Sequence, residues 1–209
     1  MRLVAALICL TLSGATHAAL LGRFLDPLHG NVYRAVYDTD LNITWLLDGF
    51  PSMDWNGAQS LLSFVNEQHL YGVSDWRLPV TVQPDPTCDT QIEYLSGFVG
   101  GYGFNCTGSE FGHLYYEELG GIAGVPSQPF PFFNFVTGTY WSQPQGGGPT
   151  RRFLFIFNSG AQLPYNGSNF TDYKVFLVAP GDPLAVPVPA AAFLFPSALG
   201  LLGLRRRKA

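Results

Sequence analysis

The sequence predicts an α+β domain with a mostly antiparallel sheet, on two observations. Apolar residues recur at helical spacing twice, both times before residue 120, whereas β-like runs bounded by turn residues open the domain and dominate its last third. Such an order argues against alternating βαβ units.

The elements follow in chain order. Residues 32–37 (VYRAVY) and 43–47 (ITWLL) are short apolar-rich runs. Asp38-Thr39-Asp40-Leu41-Asn42 between them carries turn chemistry, so the three predict a hairpin. Asp54 is placed to cap a helix over 55–67, in which Trp55, Ala58, Leu61, Leu62 and Val65 form one apolar stripe. Gly72 and Ser74 predict a turn into Asp75-Trp76-Arg77-Leu78-Pro79. Residues 80–106, rich in Pro and Gly, are expected to be irregular. Thr107 and Glu110 have the capping-box spacing, so a second helix is expected after them. Phe111, Leu114, Tyr115 and Leu119 share one face of it, and Gly120 suits its end. Strands are expected at 132–135, 139–142, 153–157 (stopping at Asn158-Ser159-Gly160) and 173–178.

The two ends carry addresses. Arg2, the apolar run 3–12 and the small residues up to Ala19 describe a cleavable secretory signal over residues 1–19. The apolar run is too short to cross a bilayer of roughly 30 Å. Residues 20–184 form the expected ectodomain. In the tail, 185–209, no residue from Ala185 to Leu204 is charged, which is long enough for a transmembrane helix. Pro187 and Pro189 lack backbone donors and keep its outer edge extended. Arg205, Arg206, Arg207 and Lys208 resist translocation and hold the extreme C-terminus inside.

Removing both ends changes the charge. Five of the 11 Lys and Arg (Arg2, Arg205, Arg206, Arg207, Lys208) lie there, which leaves 6 cations against 15 anions and a net charge of −9 on the ectodomain. Nucleic acid and other polyanions are thereby excluded as partners, because binding them needs Lys and Arg to displace counterions. Of the three cysteines, Cys9 leaves with the signal. Cys88 and Cys106 remain as a pair in an oxidising compartment and are expected to be bonded, the alternative being a reactive or metal-binding thiol pair.

The order Val186-Pro187-Val188-Pro189-Ala190, apolar helix, Arg cluster resembles the VPLPA variety of PEP-CTERM sorting signal, with Val188 in place of the usual Leu. The resemblance implies an exosortase as processing partner, transient residence in the inner membrane, and delivery to the cell surface or biofilm matrix of a Gram-negative bacterium. A second resemblance rests on Asp40, Thr44-Trp45-Leu46, Trp55-Asn56-Gly57-Ala58 and above all Gly72-Val73-Ser74-Asp75-Trp76-Arg77-Leu78-Pro79. It continues through Tyr140-Trp141-Ser142, Phe153, Phe155, Gly160 and Val175-Phe176-Leu177-Val178 to Pro180-Gly181-Asp182. This order resembles the bacterial domain family named after the C-terminal domain of the Lcl collagen-like adhesin. Ser109-Glu110-Phe111-Gly112-His113-Leu114-Tyr115-Tyr116 is similar to an insert of its PEP-CTERM members. The resemblance implies a C-type-lectin-like fold. The naming member binds sulfated glycosaminoglycans, which a domain of this negative charge would repel.

The expected function is therefore that of a non-catalytic surface or matrix protein that binds neutral exopolysaccharide. An enzyme on a lectin-like scaffold, of formylglycine-generating or glycan-hydrolase type, and a purely structural matrix component are the alternatives. Trp76, Arg77, Tyr140 and Trp141 are the candidate ligand-binding residues, against the alternative that they pack or pair internally. No catalytic residue, metal site or cofactor is assigned. Asp38, Asp40, Asn42 and Asp48 raise calcium, but Ile43 and Gly49 occupy positions where an EF-hand has Gly and Glu, and an Asx-rich turn explains the same residues. Glu110, His113, Glu117 and Glu118 lie on the second expected helix; Glu110 and His113, three apart on one side, could form an acid/base or metal pair, or merely a capping Glu beside a solvated His.

Overall fold

The computed structural model describes residues 20–25, 32–93, 99–126, 137–144, 152–166 and 171–184. The expected signal segment, the expected strand at 132–135 and the tail with Val186, Pro187, Pro189, Ala190, Arg205, Arg206 and Arg207 lie outside the described residues. Among the described residues no helix is long and apolar enough to cross a membrane.

The elements are β1 (Leu20–Arg23), β2 (Ala35–Asp38), β3 (Ile43–Leu46), α1 (Trp55–Glu67), β4 (Val80–Thr81), β5 (Thr90–Glu93), β6 (Val99–Tyr102), α2 (Glu110–His113), β7 (Thr139–Pro144), β8 (Arg152–Ile156), β9 (Ala161–Tyr165) and β10 (Val178–Pro180). A turn of 3-10 helix, Leu70–Gly72, follows α1, and a π turn, Leu114–Glu118, continues α2. One sheet has the order β1-β2-β3-β10, a second β4-β7-β8-β9, and β5 and β6 form a separate ribbon. Among the described residues every ladder is antiparallel except β4–β7, so the α+β expectation with a mostly antiparallel sheet is met there.

Local chemistry explains the hairpin and the first helix. The Asp38 carboxylate accepts from the Asp40 and Leu41 N–H groups at 3.1 and 3.0 Å, and Asn42 takes φ +51°, closing the turn that sets Val36 opposite Trp45. Asp54 is extended and accepts from Gly57 N at 2.7 Å, so α1 begins where the cap predicts. At its other end Asn66 clasps Trp76, donating to its carbonyl and accepting from its N–H, both at 2.8 Å.

The central strands are apolar on both sides because a helix covers each. Leu46, Trp141, Leu154, Val175, Leu177 and Ala179 join Trp55, Ala58 and Val65 of α1 in one buried cluster. Their chain neighbours Trp45, Tyr140, Phe155, Phe176 and Val178 join Phe111 and Leu114 of the α2 side in another. Side chains alternate faces along a strand, which accounts for the continuous run 153–157 where a one-sided sheet would show alternation. Phe111 is the hub of the second cluster, with Trp45, Phe155 and Phe157 ring centroids at 5.7, 5.6 and 5.2 Å.

Three expectations are corrected. The strand expected at 173–178 pairs as a ladder only from Val178, because the segment passes between sheets. Its backbone bonds are divided among Met53, Thr139, Trp141, Leu46 and Arg77. Residues 80–106 hold regular structure: β4, and the β5–β6 ribbon with Thr90 opposite Tyr102. Side chains organise it, Gln83 exchanging two 2.9 Å bonds with the Gly101 backbone and Asp85 accepting from Thr87 and Ser109. Thr107 is not the cap of the second helix. Ser109 holds the extended cap position, its hydroxyl donates to Asp85 at 2.9 Å, and Glu110 turns to Arg77. The Cys88 and Cys106 sulfurs sit at bonding distance and close this segment, as expected.

Arg23 of β1 forks onto Asp182 just beyond β10, Nε to Oδ1 at 2.8 Å and Nη2 to Oδ2 at 2.7 Å. The hydrogen bond from Arg23, against opposing burial, holds the Asp182 carboxyl below the usual carboxylate range. A lowered folded-state pKa gives stability that is complete above the unfolded value, about 3.9, and is lost as pH falls through the folded value. Asp182→Asn should therefore cost about 1 kcal/mol at pH 7, a sum kept small by solvent screening. The deficit should shrink progressively in urea titrations as pH is lowered below about 3.9.

Candidate functional site

The four residues singled out as ligand candidates are engaged internally. Trp76, Tyr140 and Trp141 are buried. Trp76 Nε1 donates to the Leu70 carbonyl at 3.1 Å and Trp141 Nε1 to the Met53 carbonyl at 2.9 Å, so both indoles spend their polar handle inside the fold. Arg77 forks onto Glu110, Nη1 to Oε2 at 2.8 Å and Nη2 to Oε1 at 2.6 Å, while its backbone bridges to Val178. Val80 N donates to the same carboxylate at 2.6 Å. The Ser-Asp-Trp-Arg-Leu-Pro string thus links α1, β10 and α2.

The acidic residues weighed for calcium are not gathered. Asp38 closes the β2–β3 turn, and Asn42 accepts from the Tyr37 hydroxyl at 2.8 Å. Asp48 lies past the far end of β3, where it accepts from Arg34 at 3.3 Å and from the Tyr71 hydroxyl. Glu110 and His113 do not pair either. Glu110 is committed to Arg77, and His113 faces Glu118, Nε2 to Oε1 at 3.4 Å.

That last contact depends on the π turn. Residues five apart on an α-helix are rotated about 140° from each other, whereas a π turn bonds i to i+5 and brings both to one side. Leu114–Glu118 makes this turn and folds Glu118 back beside His113. Asp38, reached across from the hairpin, completes a group in which the three residues each bring a ligand atom within 4.8 Å of the other two. Asp38 is fully buried, and the Glu118 and His113 side chains are only 3 % and 16 % exposed. The Asp38 carboxylate is oriented by Asp40 N, Leu41 N and Trp45 Nε1, the last at 3.3 Å. Burial pushes the Glu118 carboxyl above the usual carboxylate range, reinforced by the charges of Asp38 and Asp40 and opposed by His113. The site was not legible as a group: each of its residues was visible, but not their convergence.

A second feature lies on the surface. The Phe24 and Tyr33 rings stack with centroids 4.3 Å apart, and they remain 44 % and 43 % exposed. Tyr33 lies over Gly22, where an added Cβ would meet its ring at 2.5 Å.

Comparison of the chain with protein-family models, with curated proteins and with solved structures finds no match.

Proposed function

We propose that this chain is an exported, exosortase-sorted protein of the bacterial cell surface or biofilm matrix, with a non-catalytic, C-type-lectin-like ectodomain that binds neutral exopolysaccharide. The observation that carries the reading is the fixed order at the chain end: Val186-Pro187-Val188-Pro189-Ala190, an uncharged run to Leu204, then Arg205, Arg206, Arg207 and Lys208. Cysteines at bonding distance and an anionic ectodomain agree with an oxidising, extracellular destination. The stacked, partly exposed Phe24–Tyr33 pair is the surface whose chemistry suits the C–H face of an uncharged sugar.

A neutral-glycan array probed with the full chain tests the ligand. Binding that is lost in a Phe24→Ala/Tyr33→Ala double variant, with the melting temperature kept within a few degrees, is the expected result. Failure of the wild type to retain any neutral glycan would leave a purely structural matrix component. The enzyme alternative has the Asp38–His113–Glu118 group in its favour. Oligosaccharide cleavage abolished by Glu118→Gln would establish it in place of the binding reading.

A further inference from the structure

We propose that Asp38, His113 and Glu118 form a binding site for one divalent transition-metal cation of the zinc type. The proposal does not depend on how the chain is sorted or on its glycan.

Three observations carry it. First, the donor set matches: one imidazole and two carboxylates, from two segments of chain 75 residues apart at their nearest, converge with all ligand atoms within 4.8 Å. Ligands at about 2.1 Å in tetrahedral array stand about 3.4 Å apart. His113 Nε2 and Glu118 Oε1 already stand at 3.4 Å, and Asp38, within 4.8 Å of both, would have to close in to complete the array. Second, two polar atoms aimed into the group, His113 Nε2 and Glu118 Oε1, are buried and have no hydrogen-bond partner among the described residues. The Glu118 side chain is 97 % buried by its 3 % exposure, so water does not satisfy it from bulk. A cation between the two would accept both lone pairs and neutralise the facing carboxylates. Third, the surroundings orient the ligands. Trp45 Nε1 and two turn N–H groups fix the Asp38 carboxylate, and the π turn sets His113 and Glu118 on one side.

The imidazole decides the class. Calcium and magnesium prefer all-oxygen shells of six or more ligands, whereas His with carboxylates suits zinc, cobalt and their neighbours. Three protein ligands leave a fourth position for water.

The test uses the full chain in detergent, carrying no histidine tag, with its disulfide oxidised and its metals stripped by a chelator. Cobalt(II) is titrated as a visible probe and then displaced with zinc. The expected result is one equivalent of cobalt bound with visible d–d absorption, displaced by zinc but not by calcium or magnesium, and a melting temperature raised by zinc. Glu118→Gln and His113→Gln should each weaken binding about 100-fold or more, since even outer-shell changes cost about 10–100-fold. Metal-free Glu118→Gln should melt at or above the metal-free wild type, because a neutral amide replaces a buried carboxylate facing Asp38. Three results would overturn the site: no saturable binding to the stripped wild type, affinity unchanged in both variants, or a thiolate-to-cobalt charge-transfer band placing the metal at Cys88 and Cys106.

Discussion

Replacing Gly112 by alanine should cost at least about 3 kcal/mol in denaturant unfolding, at the upper end for overpacking. A Cβ on Gly112 would lie 1.8 Å from the Cys106 carbonyl oxygen and 2.7 Å from its carbon. Both are backbone atoms, and Cys106 is fully buried at bonding distance to Cys88, so neither can swing aside as a flexible side chain would. The helix would have to lift, and Phe111, one residue earlier, would leave the rings it packs against. Gly49→Ala is the control: its Cβ meets nothing within 4 Å, and its stability should stay within about 0.5 kcal/mol of the wild type. A Gly112→Ala variant as stable as the wild type would mean that α2 is not seated on the Cys106 backbone.

Glu110→Ala should cost about 2–3 kcal/mol. One carboxylate accepts from two guanidinium nitrogens and the Val80 N–H; its loss strands Nη2 and the Val80 N–H and leaves Nη1 only the Leu78 carbonyl at 3.2 Å. Breaking a fully buried ion pair costs about 3–5 kcal/mol, and the 29 % exposure of the Arg77 side chain reduces that figure. Arg77→Lys should also destabilise, since an ammonium cannot fork. An Arg77→Met/Glu110→Met double variant should be more stable than the sum of the single changes, because no charge is left unpaired. The measurement also separates the two roles weighed for Arg77. A structural clamp predicts lost stability, whereas a ligand fork predicts lost binding at unchanged stability.

What could be read from the sequence was local. Asp54 caps its own helix through a group three residues away, so α1 starts at Trp55 as its cap and stripe predict. Asn158-Ser159-Gly160 likewise marks the β8–β9 turn, where Gly160 takes φ +76°. The β5–β6 ribbon escaped because side chains hold it, Gln83 bonding the Gly101 backbone and Gln91 donating to the Asp85 and Cys88 carbonyls of the loop before it, and such bonds leave no apolar period. Glu110 was read as a cap because the capping-box spacing is local, whereas its true partner Arg77 lies 33 residues earlier. His113 and Glu118 were both visible, but helical spacing separates them, and only the π turn reunites them. Trp76, Tyr140 and Trp141 were candidates for a sugar contact, against the reading that they pack in the core. The burial that puts them in the core comes from strands and helices on both sides, which no single segment encodes.

The proposed export of the chain, and its release from the tail by an exosortase, would change its mass. The proposal is tested most directly by the intact mass of the internally tagged protein from exosortase-positive and exosortase-null cells of a bacterium that makes extracellular polysaccharide. Loss of residues from near Val186 to Ala190 onward, and appearance outside the cell, are expected only where the exosortase is present. Identical masses from both strains, each still carrying the sequence through Arg205, Arg206, Arg207 and Lys208, would contradict the proposal and make the tail a plain anchor.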